Sequence, residues 1–306
     1  TTLNQIAKTI RKKRINKGAI IFDKAEIKFK LDEKNNPKEV AFKTAKSANK
    51  LIEEFMLLAN KRVAEKMKKG KERFVFRVHD QPDEEKLKNL QTIVKRLGYT
   101  LDLNKNDLNT SLNTLLENTF GKNEQNLIDT LMIRSMSKAE YTTKNIGHYG
   151  LAFDNYTHFT SPIRRYPDVL VHRLIEAELK NDKIKTEELE TLCNHSTHME
   201  ILATKAERDS IKLMQIKYML DKEGKIFEAV ISGVTSRGVF VEVVENKCEG
   251  LVKAKDLPGD FYVHDEKNHQ FVGEKTGKKY QLGDKTKAML IKADQVKRRL
   301  DFQILG

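Results

Sequence analysis

The chain has only two cysteines among its 306 residues, Cys193 and Cys248, and they lie far apart with no CxxC spacing. This pattern argues against both a disulfide framework and a structural zinc site. None of the eight histidines has the spacing of a metal-ligand motif. No apolar run is long enough to span a membrane, and the N-terminus has no signal-peptide core. We therefore expect a cytoplasmic protein with no membrane partner.

Basic residues outnumber acidic ones. The chain has 57 Lys and Arg against 44 Asp and Glu, a formal net charge of +13. Such an excess suits a polyanionic partner, although lysine-rich proteomes give similar values without one. At this length the chain can bury a sizeable core and should form about two domains.

The character of the sequence changes at Gly224. Before this residue, helical patterns alternate with short strands; after it, only short strands separated by Gly, Asn and Asp remain. We predict an α+β protein with a mixed helix and sheet domain over residues 1–223 and an all-β, five-stranded OB-fold barrel over residues 224–306. The predicted helices of the first domain are 3–17, 47–67, 83–98, 107–119, 123–137, 162–180 and 186–221. Its predicted extended segments are 19–22, 25–32, 39–45, 73–80 and 139–141.

The most informative stretch reads GHYGLAFDNYTHFTSPIRRYPDVLVHR. Ser161 is a good helix N-cap, and Pro162 suits the first helical position, where its missing N–H costs nothing. Arg164 and Arg165 would then lie in the first turn, beside free backbone N–H groups, which favours phosphate binding. Alternatively, Arg164 pairs with Asp168 one turn on, and both belong to the surface. Spacing alone does not decide between these interpretations.

The predicted helix 47–67 has a polar row beside its apolar stripe. By helical geometry, Asn49, Glu53, Met56 and Asn60 project within a narrow arc. Uncharged amides around one carboxylate could read hydroxyl groups. The alternative is a solvated helix face with a lone acid.

Several segments resemble one family. HYGLAFDNYTHFTSPIRRYPDVLVHRL and LIEEFMLLAN resemble the ribonuclease II / ribonuclease R family of 3′-to-5′ exoribonucleases, while GVFVEV and EGLVKAKDL resemble the S1-type RNA-binding domain that ends ribonuclease R chains. The resemblance, which is greatest to ribonuclease R, implies the C-terminal part of a ribonuclease II-type catalytic domain followed by an S1-type domain. It also implies a processive hydrolase of single-stranded RNA that releases nucleoside 5′-monophosphates. We expect a monomer without a preference for DNA.

The same resemblance assigns roles to individual residues. It implies that Arg164 contacts the phosphate at the scissile end of the RNA, with Arg165 beside it. It implies that Glu53 accepts a ribose 2′-OH and so selects RNA over DNA, because DNA has no hydroxyl to offer this carboxylate. Glu54 is expected to be structural.

Three further residues have a structural alternative beside the role that the resemblance implies. Phe22 would be one of the two aromatic residues that clamp RNA bases between them, although an aromatic at a strand end is by default a core residue. His79 would lie near the RNA channel, yet a lone histidine after a strand is more often structural. Glu207 would lie near the active site and affect turnover, yet a mid-helix acid is usually a surface residue.

The barrel also has residues suited to RNA. Phe240 is expected on the surface, where it can stack on bases, and Arg237 is expected to contact phosphates. Phe227 is expected in the barrel core, because neighbouring strand positions alternate between faces. Further candidates for stacking or phosphate contact are Phe261, Tyr262, Lys253 and Lys255.

The resemblance also implies a cofactor. The family's hydrolysis resembles two-metal phosphoryl chemistry, in which clustered aspartates hold magnesium ions. No Asp-Asp pair occurs anywhere in this chain, so we expect the magnesium ligands in a segment upstream of it. The isolated chain is then expected to be inactive. The alternative is a non-catalytic RNA-binding fragment or a degenerate relative of the family.

Overall fold

The computed structural model describes residues 2–22, 26–70, 73–104, 108–122, 124–182, 186–266 and 268–305, except for the side chain of residue 126. The chain divides into two compact units, one of residues 1–24 and 45–203 and the other of residues 25–44 and 204–306. The boundary predicted at 223/224 stays a prediction. Residues 25, 107 and 123, the first positions of three predicted elements, lie outside the described residues.

Unit 1 is mainly helical. Its helices are α1 (Thr2–Asn16), α2 (Ser47–Met67), α3 (Glu84–Arg96), α4 (Leu108–Thr119), α5 (Gln125–Ser135), α6 (Tyr166–Lys180) and the first part of α7 (Leu189–Met219). The sequence explains their ends. α1 stops before Gly18, whose φ of 101° suits glycine. α3 has Asp83 as its N-cap residue, and the Asp83 side chain accepts hydrogen bonds from the backbone N–H groups of Glu85 and Lys86.

One short antiparallel sheet lies among these helices. β3 (Phe76–Val78) pairs with β4 (Glu140–Thr142). The core around this sheet contains residues from α2, α6 and α7. A second core joins α3, α4 and α5. None of the described helices is both long and apolar enough to cross a membrane.

Unit 2 contains a closed five-stranded barrel, as predicted. Around the barrel the strands are β11 (Lys285–Asp294), β12 (Arg299–Leu305), β7 (Glu249–Lys253), β6 (Gly238–Val243) and β5 (Ile226–Thr235). Along β6, Val239, Val241 and Val243 are buried while Phe240 is only partly buried, because alternate residues of a strand point to opposite faces. Phe227 is buried in the barrel core, which confirms that expectation. Antiparallel β1 (Glu26–Leu31) and β2 (Pro37–Lys43) form a hairpin in this unit.

Two sequence predictions about elements were wrong, and one sheet was not predicted. Residues 19–22 form no described strand: the Ala19 carbonyl accepts from the Asn113 side chain at 2.9 Å, and the Ile20 N–H donates to the Gly150 carbonyl at 2.9 Å. A three-stranded sheet that the sequence did not predict follows β7, formed by β8 (Tyr262–Asp265), β9 (Gln270–Gly273) and β10 (Lys279–Gln281). The other wrong prediction, a helix that starts at Pro162, is corrected below, where the functional site is described.

Candidate functional site

A pocket of about 470 Å³ opens beside α2 in unit 1. It brings together the polar row of the predicted helix 47–67 and Arg165, the residue that follows the SPIR sequence. The lining residues are Ala48, Asn49, Ile52, Glu53, Met56, Leu57, Asn60, Tyr156, Thr160 and Arg165. A carboxylate and a guanidinium predicted from separate parts of the sequence therefore line the same cavity.

The two adjacent glutamates of α2 have opposite environments. The Glu54 side chain is 1% exposed and accepts hydrogen bonds from Arg14 Nη2 at 2.5 Å and Arg11 Nη1 at 3.2 Å. The Glu53 side chain is 51% exposed, and its cationic neighbour, Arg11 Nη1, is 3.9 Å away. Glu54 thus joins α2 to α1, while Glu53 presents an accessible acceptor to the pocket.

The amides of the polar row are committed to the fold. The Asn49 side chain accepts from the backbone N–H of Lys46 at 3.0 Å and so caps α2. The buried Asn60 donates from Nδ2 to the Tyr156 hydroxyl and accepts from the Phe159 backbone N–H, both at 3.0 Å. The idea that these amides read hydroxyl groups is therefore weakened, and Glu53 is the acceptor of the row that remains accessible.

The SPIRR sequence forms a turn before α6, so the predicted N-cap was wrong. α6 begins at Tyr166 with Arg165 as its N-cap residue, and Pro167 lies in the first turn. A helix starting at Pro162 would place Pro167 in its interior, where proline removes a hydrogen bond and clashes with the preceding turn. Instead, the backbone N–H groups of Arg164 and Arg165 donate to the Ser161 carbonyl at 3.3 and 3.1 Å.

The arginines of this turn differ in their surroundings. Arg165 donates from Nη2 to Asp168 Oδ1 at 2.8 Å. The predicted surface pair of Arg164 with Asp168 was therefore wrong in its partner and in its exposure, since Asp168 is fully buried. The Arg164 side chain is exposed and makes no hydrogen bond or ion pair with any described residue. Its guanidinium is free to contact an anion.

Comparison with known proteins identifies the family. The RNB domain model matches residues 1–181, and the S1 RNA binding domain model matches residues 220–305. The chain belongs to the RNB domain family. Residues of both the pocket and the SPIRR turn lie within the RNB match.

Among the similar proteins are ribonucleases R. The protein of Aquifex aeolicus (strain VF5) is 38% identical over 307 residues, which cover 99% of this chain and 44% of that protein. The Escherichia coli (strain K12) protein is 33% identical over 317 residues, which cover 99% of this chain and 39% of that protein. The chain thus spans less than half the length of these relatives.

Solved structures give the same relationship. The apo form of Mycoplasma genitalium RNase R is similar with a TM-score of 0.94 and 28% identity, covering 99% of this chain and 49% of that one. The structure of the same protein in complex with ribose-methylated single-stranded RNA gives the same values. The mixed RNB fold followed by a C-terminal S1 β-domain is therefore established for this chain.

Three histidines of the RNB part, His79, His148 and His158, have a pKa that burial lowers. His79 accepts from the Gly150 N–H at Nδ1, 3.0 Å away, so its Nε2 carries the proton and donates to the Ser137 carbonyl at 2.9 Å. Burial lowers the pKa of His79. Burial also lowers the pKa of His148 to about 3 and that of His158 to about 2. Both ring nitrogens of His79 have partners, which favours the structural alternative for this residue.

The remaining candidates lie in different places. Phe22 is partly buried and packs against the core formed by α3, α4 and α5. Glu207 is exposed on the part of α7 that belongs to unit 2. In the barrel, Arg237 is exposed in the turn between β5 and β6, and Phe240 lies on the outer face of β6. None of the described hydrogen bonds or ion pairs involves the side chain of Glu207 or Arg237.

Sequence reasoning missed Asp168 and Asn60 as organisers of the site. For Asp168, the overlooked signal was Pro167, which moves the helix start to Tyr166 and places the carboxylate in the first turn. For Asn60, no local signal exists, because its partners Tyr156 and Phe159 are distant in sequence.

The described residues do not fit a metal site. No group of three or more His, Cys, Asp or Glu side chains converges among them in a way that could hold a metal ion. Glu53 and Asp168 belong to separate surroundings, one exposed and the other paired with Arg165. The magnesium that the family implies therefore has no ligand set in the part of the chain that the structure describes.

Proposed function

We propose that this chain is the RNA-holding part of a 3′-to-5′ exoribonuclease that degrades single-stranded RNA processively and releases nucleoside 5′-monophosphates. The RNB and S1 matches and the ribonuclease R relatives support this proposal. The observation that carries it is the pocket itself. An accessible carboxylate, Glu53, and a guanidinium, that of Arg165, line one cavity, and the unpaired Arg164 side chain directly precedes Arg165 on the same turn.

Glu53 is proposed to select ribose. A carboxylate accepts the hydrogen of a 2′-OH, whereas a deoxyribose would leave it without that hydrogen bond. The position of Glu53 suits this role, because Glu54 and Asn60 fix α2 through buried contacts while the Glu53 side chain stays accessible. Discrimination against a substrate that lacks a hydrogen-bonding group is strong when the site is built to bond that group.

Arg164 is proposed to bind the phosphate at the scissile end, with Arg165 as a second phosphate contact. Arginine presents several N–H donors in a planar fork that matches phosphate oxygens. Arg164 has these donors uncommitted, and the two bonds to the Ser161 carbonyl fix the backbone on which it stands.

The other predicted residues have supporting roles in this proposal. Phe240 and Arg237 grip RNA on the S1-type barrel, one by stacking and the other by charge. Phe22 stacks on a base, and His79 and Glu207 shape the surroundings of the RNA path. The RNA-degrading protein is proposed to be cytoplasmic and monomeric, and its magnesium ligands are proposed to come from residues outside this chain.

The experiment is timed digestion of a 3′-extended, end-labelled RNA with magnesium, comparing this chain with a polypeptide that adds the residues upstream. We expect the extended protein to shorten the RNA from its 3′ end and the chain alone to bind without cutting. A deoxyribo-oligomer of the same sequence is the control. If the extended protein binds RNA but never cuts it, the alternative of a non-catalytic RNA-binding protein replaces this proposal.

A further inference from the structure

Asp168 lies at the centre of the SPIRR turn. It is fully buried in the first turn of α6, and its Oδ1 accepts both the Ser161 backbone N–H at 2.7 Å and Arg165 Nη2 at 2.8 Å. One carboxylate oxygen therefore holds both ends of the segment from Ser161 to Arg165. Burying a carboxylate is costly unless its partners compensate, so this arrangement needs a reason.

A second pair in the same unit gives a comparison. Arg77 and Glu200 form a bidentate ion pair, in which Nη1 donates to Oε2 at 2.6 Å and Nη2 donates to Oε1 at 2.9 Å. Arg165 and Asp168 form a monodentate pair instead, with one hydrogen bond from Nη2 to Oδ1. Arg165 Nε and Asp168 Oδ2 are both buried without a hydrogen-bond partner among the described residues. Asp168 thus fixes the Arg165 side chain while some of its guanidinium N–H groups make no hydrogen bond to a described residue. Arg165 also lines the pocket that contains Glu53.

We propose that Asp168 is a positioning residue. It holds the SPIRR turn and Nη2 of Arg165, so that the remaining N–H donors of Arg165 bind a phosphate of the RNA. The inference rests on the proposed function, because it names the residue that prepares the phosphate-binding part of that site. In the Arg77–Glu200 pair the carboxylate engages both Nη1 and Nη2 of its arginine, whereas Asp168 engages only Nη2 of Arg165 and leaves more of the five N–H donors for a ligand.

The test measures binding of a single-stranded oligoribonucleotide to the 306-residue chain across a range of salt concentrations. In Asp168→Asn we expect weaker binding and a slope of log affinity against log salt that is shallower by about 0.7, the value for one lost phosphate contact on a single strand. Removing a carboxylate raises the net charge, so a general electrostatic effect would tighten binding instead. Glu200→Gln, which also removes one carboxylate from an arginine pair, is the matched control and should leave the slope unchanged.

A double-mutant cycle separates positioning from stability. If Asp168 acts through Arg165, Asp168→Asn adds less than about twofold to the loss already caused by Arg165→Ala. Additive losses, or an unchanged slope in Asp168→Asn, would overturn the inference. If the wild-type chain itself shows no binding to RNA, the proposed function fails instead.

A further measurement uses only the wild-type chain and therefore does not depend on the folding of a variant. The side-chain Nε resonance of Arg165, followed by NMR in the wild-type chain, should shift when the oligoribonucleotide is added. A resonance that stays unchanged at saturating RNA would contradict the inference even if Asp168→Asn failed to fold.

Discussion

Replacing each of the two adjacent glutamates of α2 by alanine should have contrasting effects on stability. Glu54→Ala removes the carboxylate that faces Arg14 and Arg11, and it leaves the nearly buried Arg14 guanidinium without compensation. Breaking a buried ion pair by removing one partner costs about 3–5 kcal/mol. Glu53→Ala removes a side chain that is 51% exposed, and we expect a change within about 0.5 kcal/mol.

The assay is urea denaturation followed by far-UV circular dichroism, which reports on the helices of unit 1. We expect a much lower midpoint for Glu54→Ala and an unchanged midpoint for Glu53→Ala, with similar slopes for both. Glu54→Gln, which keeps one acceptor oxygen for the arginines, should lie between Glu54→Ala and the wild type. Equal midpoints for Glu54→Ala and Glu53→Ala would refute the assignment of one glutamate to the fold and the other to the pocket.

Three further predictions concern catalysis, pH and the barrel. In the polypeptide extended upstream, Arg164→Ala should lower turnover far more than RNA affinity, whereas the exposed Arg173→Ala on α6 should change neither; a loss confined to affinity would contradict a transition-state role. Burial holds the pKa of His148 at about 3 and that of His158 at about 2. The unfolded chain, with histidine pKa values near ~6.5, therefore takes up protons first, so stability is full above pH ~6.5 and falls by about 2 kcal/mol per histidine at pH ~5. Urea midpoints that stay constant from pH ~7 to ~5 would contradict this. Phe240→Ala should weaken RNA binding by about 1–3 kcal/mol without changing the salt slope, because it removes stacking and no charge.

Long periodic elements were predictable from the sequence, because their signals are local. α2 was predicted with the bounds that the structure has, because the sequence pattern indicates both its apolar stripe and its ends. The five strands of the barrel were also predicted, because alternation and turn residues mark each one. The sheet of β8, β9 and β10 was missed, since its strands have only three or four residues each.

The site was predictable only in part. Helical geometry correctly placed Glu53 in the polar row that lines the pocket, and the family resemblance assigned Glu54 to the fold, where the structure buries it. The predicted partner of Asp168 was wrong, because the choice between Arg164 and Arg165 depends on where α6 starts, and the signal of Pro167 was overlooked. The burial of Glu54 also depends on the packing of α1 against α2, which involves residues about 40 positions apart.

The central claim is that Glu53 lets this site recognise ribose, and it is tested by one ratio of dissociation constants. The ratio compares a deoxyribo-oligomer with a ribo-oligomer of the same sequence, in the wild-type chain, in Glu53→Gln and in the exposed, equally charged control Glu178→Gln. We expect the wild type and the control to favour RNA by about tenfold or more, in keeping with a hydrogen bond to a charged group, and Glu53→Gln to lose most of that preference by binding RNA more weakly. An unchanged ratio in Glu53→Gln would contradict the account.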